Sequence, residues 1–134
     1  VYGIDADSGK QLWKDKPEAH PWAMNTGSAA FHGKRMYVPF ASFEELAGGS
    51  PTYECCTFRG SVVAYEVETG KRLWQSYIIP EAPKKTVVTA KGVQLWGPSG
   101  AAVWSQPTVD VKQNALYVTT GDAYSQPAAP TSDA

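Results

Sequence analysis

The chain has 134 residues, of which 43% are hydrophobic and 19% charged, and its formal net charge is −1. This length suits one domain with its own core, and the near-neutral balance argues against a nucleic-acid partner. No apolar run approaches the roughly 18 residues of a membrane span. In chain order, Val1–Asp5 and Gln11–Lys14 read as strands joined by Ala6-Asp7-Ser8-Gly9-Lys10, and Asp15–Pro21 as a polar, proline-bearing loop. Gly27–Phe31 and Met36–Phe40 form the next pair, turning at His32-Gly33-Lys34-Arg35. Ala41–Tyr53, with Gly48-Gly49-Ser50-Pro51, reads as a long excursion, and excursions of that length are usually functional or mobile. Gly60–Val67 and Arg72–Ile79 are strands, Pro80–Gly100 a second long connection, and Ala102–Val109 and Ala115–Thr120 a last pair. Gly121–Ala134 is turn and linker material, and no stretch has a helical period. Both ends read as cuts through a longer protein, so no targeting signal is expected to be visible.

An internal repeat organises these elements. Val62, Gly70, Lys71 and Trp74 fall on Val1, Gly9, Lys10 and Trp13 at a constant offset of 61 residues. Each copy is a hairpin: an apolar β-branched or aromatic run, a turn whose Gly can take positive φ, and a strand ending in Trp. Repetition in register over a whole hairpin points to a repeat architecture. Short strands with a recurring terminal Trp suit an all-β propeller of four-stranded blades; a β-sandwich is the alternative. On the propeller reading, residues 1–26 end one blade, 27–79 are a complete blade, 80–101 connect, and 102–134 begin the next. Half-blades leave unpaired strand edges, so the chain alone is not expected to fold well.

The A-x-D-x-x-T-G-K-x-L-W type of repeat resembles the blade signature of quinoprotein dehydrogenases and their non-catalytic propeller relatives. Five further stretches sharpen the likeness: Met24-Asn25-Thr26-Gly27-Ser28, Cys55-Cys56-Thr57-Phe58-Arg59-Gly60, Tyr77-Ile78-Ile79-Pro80, Gly97 to Trp104, and Leu116 to Thr120 followed by Gly121-Asp122. In that order they resemble the pyrroloquinoline quinone (PQQ)-dependent alcohol dehydrogenases, most closely the branch acting on polyvinyl alcohol. The resemblance implies an eight-bladed propeller, about two blades of it here, with PQQ on the axis between a Trp and a disulfide of adjacent cysteines.

Carried over residue by residue, Trp104 resembles the ring that stacks under the quinone, since a planar cofactor needs a flat apolar floor. Arg59 resembles the guanidinium that bonds the quinone oxygens, and Thr26 a hydroxyl on a cofactor carboxylate. Each has a plainer alternative: an inter-blade Trp, a surface Arg, a Thr in a turn. Calcium, held by oxygen ligands, polarises the reactive carbonyl in this family. Glu44 resembles one ligand, with Glu45 competing for the role, and Asp122 stands where the family commonly has Asn. Solvated loop carboxylates are the alternative for these. The catalytic Asp base of the family is expected beyond this chain.

Two departures stand out. Ala102 replaces the Thr usual two residues before the stacking Trp. Only Thr57 and Phe58 separate Cys55-Cys56 from Arg59-Gly60, closer than in the better-known enzymes, so the pair caps the quinone from a different blade or does something else. Neighbouring Cα atoms about 3.8 Å apart across a trans peptide sit closer than disulfides prefer. An adjacent-cysteine disulfide therefore needs oxidising surroundings or tight packing; two reduced, packed thiols are the alternative. A metal site at the cysteines is not expected, because two adjacent sulfurs with His20 and His32 far off in sequence lack the usual ligand spacing.

The resemblance implies a periplasmic enzyme that oxidises a secondary alcohol to a ketone and passes electrons to a cytochrome c. The rivals are a cofactor-free propeller serving as a binding or assembly scaffold, and a relative acting on a sugar or simple alcohol.

Overall fold

The structure, a computed structural model, describes residues 1–124. Residues 125–134, the tail of the last expected blade, lie outside the described residues. Eleven strands and one short helix are present among those described. β1 (Tyr2–Ile4) and β2 (Gln11–Lys14) make the first hairpin. A five-stranded antiparallel sheet follows: β3 (Ala23–Met24), β4 (Ala30–His32), β5 (Arg35–Ser42), β6 (Ser61–Glu66) and β7 (Arg72–Tyr77). β3 and β4 pair with successive parts of β5, which pairs with β6, and β6 with β7. This is the meander of a propeller blade, with one edge strand broken in two.

β5 and β6 are the core. Residues Met36 to Ala41 and Ser61 to Tyr65 are all buried, because both faces of these central strands are covered. Pro39 is tolerated in a central strand beside the place where β3 and β4 interrupt the edge. Its carbonyl accepts from Asn25 Nδ2 in the gap between them.

The repeat is reproduced in detail. Gly3 faces Trp13 across the first hairpin as Ala64 faces Trp74 across the second, and each ladder shifts register immediately afterwards. Gly9 and Gly70 both have φ of +69°. Ser8 Oγ bonds Asp5 in one turn and Thr69 Oγ1 bonds Glu66 in the other. The first hairpin docks on the sheet through Trp13, whose ring stacks on Tyr65 and whose Nε1 donates to the Val67 carbonyl 3.0 Å away. Beyond β2, Asp15 accepts from the Tyr65 hydroxyl at 2.8 Å and from a two-pronged Arg72.

β3 falls within residues 1–26, assigned from sequence to the preceding blade, yet pairs with β5, and three longer stretches also differ from the sequence-based expectation. The connection 80–101 contains a hairpin, β8 (Lys84–Val88) and β9 (Gln94–Gly97), closed by Gly92 at φ +80°. Its strands lack burial alternation, all of β8 being exposed, so no period-two pattern announced it. The excursion after β5 begins with a helix, α1 (Glu44–Gly48), too short to display a helical period. The strand expected over Ala102–Val109 contracts to β10 (Thr108–Asp110), paired with β11 (Ala115–Tyr117), while Ala102–Trp104 runs as irregular backbone across the sheet end.

Candidate functional site

Three backbone segments are zipped together at one end of the sheet. Gly60 N–H donates to the Gly100 carbonyl, and Gly100 N–H to that of Phe58, both at 2.8 Å. Ala101 N–H donates to Asp122 O at 2.7 Å, and Gly121 N–H to Ala102 O at 2.9 Å. Val103 N–H then ties the assembly to Phe40 at the end of β5. The approach is so close that a Cβ on Gly60 would lie 1.8 Å from the Ala101 carbonyl oxygen, which explains the glycine of the Arg-Gly step.

Beside this zipper lies a cleft of about 490 Å³, lined by Thr26, Trp104 and Asp122 together with Met24, Phe43, Glu45, Leu46 and Tyr124. Trp104 is 64% exposed, so the largest ring here offers its surface rather than filling a core. Buried Ala102 and Val103, on either side of the chain direction, anchor the backbone that presents it. Two further clefts, of about 560 and 570 Å³, are seams between the sheet and its flanking hairpins.

Glu44 is placed elsewhere than expected. It is fully buried, and both carboxylate oxygens are occupied: Thr57 N–H donates at 2.8 Å to Oε1, Phe58 N–H at 2.7 Å to Oε2, and the Tyr53 hydroxyl at 3.1 Å to Oε1. His20 Nε2 stands 3.4 Å from the same carboxylate and 3.0 Å from Thr57 Oγ1. Burial, followed by the Glu44 charge, raises the Tyr53 phenol pKa, so the phenol remains a donor. Successive helical residues point about 100° apart, so turning Glu44 inward turns Glu45 into the cleft. The carboxylates that line the cleft are Glu45 and Asp122. Burial first, and then the charges of Glu45, Asp122 and Glu44, raise the Tyr124 pKa despite a bond to Ser42 that lowers it.

Arg59 does not line the cleft. Its guanidinium donates to the carbonyls of Ile79 and Pro80 at 3.0 and 2.9 Å and lies 4.0 Å from the Tyr77 ring centroid. Cys55 and Cys56 are joined as a disulfide across a cis peptide, rather than the trans peptide assumed from sequence. Both are buried against Ala41, Phe58, Ala102 and Tyr124, one layer behind the cleft wall. Backbone bonds between Cys55, Cys56 and Trp96 fasten this loop to β9. Sequence order brought Arg59 and the cysteines close to the zipper; it carried no information on which way they face.

The cleft suits a planar cofactor on one side. It has an exposed indole, the Thr26 hydroxyl and apolar walls, within the size range of small-molecule sites. For calcium the donors are fewer than the six to eight oxygens it takes. Glu45 and Asp122 face the cleft, Glu44 is occupied, and no cluster of three potential metal-binding side chains occurs among the described residues. Phe43, Leu46 and Met24 were not expected in the site; the place of Phe43 and Leu46 on a long excursion was the only signal in the sequence, and half-buried Met24 of β3 gave none.

Comparison with known proteins adds a family model: the glucose/ethanol/alcohol dehydrogenase β-propeller domain (PQQ) matches residues 47–128. A polyvinylalcohol dehydrogenase of Sphingopyxis sp. (strain 113P3) is 42% identical over 90% of this chain and 18% of its own length. A polyvinylalcohol dehydrogenase of Pseudomonas sp. is 38% identical over 92% of the chain and 19% of its length. A quinohemoprotein alcohol dehydrogenase of Comamonas testosteroni is 32% identical over 91% and 18%. The chain thus spans about a fifth of the length of these curated relatives.

Proposed function

This chain belongs to the PQQ-type glucose/ethanol/alcohol dehydrogenase β-propeller family, and we propose that the protein carrying it oxidises a secondary alcohol, polyvinyl alcohol being the favoured substrate, to a ketone. The observation that carries the reading is the convergence of Trp104, Thr26 and Asp122 on one cleft. The two relatives named for polyvinyl alcohol support the substrate. Electrons pass to a cytochrome c, and the protein works in the periplasm, where an adjacent-cysteine disulfide persists.

Bound in the cleft, PQQ would supply a two-electron acceptor, and calcium would polarise its reactive carbonyl. The residues of this chain do the holding. Trp104 supplies the flat face against which a planar ring packs, and the Thr26 hydroxyl orients a carboxylate of the cofactor. Asp122 and Glu45 are the oxygen donors available to the metal, with the remaining ligands and the proton-accepting Asp contributed from outside this chain. Met24, Ala41 and Ala102 keep the wall apolar, so charges in the cleft act with less screening by water. Glu44, held by the Thr57 and Phe58 N–H groups, does not line the cleft.

The alternative, a cofactor-free scaffold, draws on Arg59 and the disulfide facing away from the cleft. Titrating the quinone-free full-length protein with PQQ, with and without calcium, separates the two. Saturable quenching of tryptophan fluorescence, together with dye reduction by a secondary alcohol that requires both additions, is the expected result. Neither quinone binding nor activity with any alcohol would establish the scaffold and overturn the enzyme. Trp104→Ala should weaken quinone binding at least tenfold.

A further inference from the structure

α1 is built against local rules. The position preceding its first turn is favoured by Ser, Thr, Asp or Asn, whose side chain bonds a free N–H. Here it is Phe43, with no side-chain capping bond and 49% of its surface exposed. One turn later Leu46 is 75% exposed. A five-residue helix gains little from its own hydrogen bonds, and two large apolar side chains held in the open stabilise it no further. What holds α1 is Ser42 Oγ, which accepts from the Glu44 N–H at 3.2 Å in place of a cap at Phe43, the Glu44 carboxylate, clamped beneath the helix by the Thr57 and Phe58 N–H groups and the Tyr53 hydroxyl, and Phe43 N–H, which bonds the Trp22 carbonyl at 3.1 Å. The helix is pinned from below so that Phe43, Glu45 and Leu46 all line the cleft containing Trp104. Local rules broken without a packing gain are a mark of function.

We propose that α1 is the specificity lip of the cleft: Phe43 and Leu46 hold the hydrocarbon arms that flank the reacting carbinol of the substrate. The inference rests on the alcohol dehydrogenase reading above. The lip presents an apolar side chain, a carboxylate and a second apolar side chain within one helical turn. A secondary alcohol carries a hydrocarbon arm on each side of its carbinol, and Phe43 and Leu46, one turn apart at the edge of the cleft, offer such arms an apolar surface beside the carboxylate of Glu45. Exposed apolar groups at the mouth of a polar-centred cleft reward longer arms through burial and add nothing for the smallest alcohol, which leaves them in water.

The test uses the full-length protein loaded with quinone and calcium, and the symmetrical secondary alcohols isopropanol, diethylcarbinol and dipropylcarbinol. Leu46→Ala and Phe43→Ala should each lower kcat/KM for dipropylcarbinol about tenfold, mainly through KM, the discrimination that a few apolar carbons provide. Isopropanol should lose several-fold less than dipropylcarbinol, quinone affinity read by fluorescence should fall less than kcat/KM for dipropylcarbinol, and Leu46→Met should restore most of the loss. Leu46 is so exposed that its truncation leaves folding intact, which guards against a trivial failure at Phe43. Equal losses for short and long alcohols, or unchanged kinetics with a lowered Tm, would overturn the lip; the second result would mean another segment of the protein covers α1. A wild-type protein that oxidises none of the three would overturn the functional reading itself.

Discussion

The two hairpins of the repeat share a turn, a register shift and a terminal Trp, yet their surroundings differ. In β6, Val62 to Tyr65 are buried on both faces; in β1, Tyr2 and Ile4 are exposed. Trp13 is clamped on Tyr65 and Gly70 with its indole N–H satisfied, whereas Trp74 leans on Tyr37 at the edge of a seam. Hairpin geometry is thus set locally by turn chemistry, while burial is set by whatever packs alongside. The same residue type at equivalent positions should carry unequal energies.

The largest inequality is expected at the turn glycines. Gly9 and Gly70 share φ +69°, but a Cβ on Gly9 meets nothing within 4 Å, and one on Gly70 would lie 2.3 Å from the Trp13 ring. Gly9→Ala should cost only the left-handed backbone penalty, about 1 kcal/mol. Gly70→Ala should cost about 3 kcal/mol, because it adds overpacking and displaces Trp13. Denaturant titration of the full-length protein would measure both; equal costs would break the comparison. Next come the indoles. Trp13→Ala should cost about 3 kcal/mol, and Trp74→Ala no more than about 1–2 kcal/mol where the ring is less enclosed, again read from unfolding midpoints.

The smallest effect, and the one that sharpens the comparison by pH, belongs to Asp15. Burial acts to raise its pKa, but the Tyr65 hydroxyl and the Arg72 fork outweigh that and hold it below the ordinary carboxylate value. A depressed carboxylate stabilises the fold above the unfolded value of about 3.9, and that contribution is lost as pH falls through the lower folded value. Asp15→Asn should cost about 1 kcal/mol at neutral pH and flatten the acid limb of Tm against pH. Tyr65 runs the other way: burial, then Asp15, raises its pKa, so its contribution holds up to about pH 10 and fades above.

The repeat and the longer strands of the central sheet were legible because turn glycines, β-branched runs and a terminal Trp act over a few residues, and the family was legible through the ordered set of motifs from Met24 to Asp122. The hairpin β8–β9 was not, since exposed strands carry no alternation, although Gly92 between two Val-bearing runs was a usable sign. The site was legible in part. Thr26, Trp104 and Asp122 were singled out by motif, and the structure brings them to one cleft. Glu44 was read as a ligand because it resembles the Glu of the family's ligand stretch, although the small residues around it differ and Glu45 competes for the role. Its direction depends on Thr57 and Phe58, thirteen and fourteen residues away, whose N–H groups claim it. Arg59 likewise faces Tyr77 because the carbonyls of Ile79 and Pro80 lie there. Such long-range orientation leaves no local trace.

The junction at Asp15 also fixes where this architecture can be cut and rejoined. Asp15 follows one hairpin, while Tyr65 and Arg72 belong to the next copy, so the three act as one contact although they sit in different repeats. A chimera that exchanges a Trp-ended hairpin as a cassette would import a new Arg72 position and leave the old Asp15 behind, parting the fork from its acceptor. The transplantable module is offset from the visible repeat. It begins inside one copy, carries the seam whole, and ends inside the next.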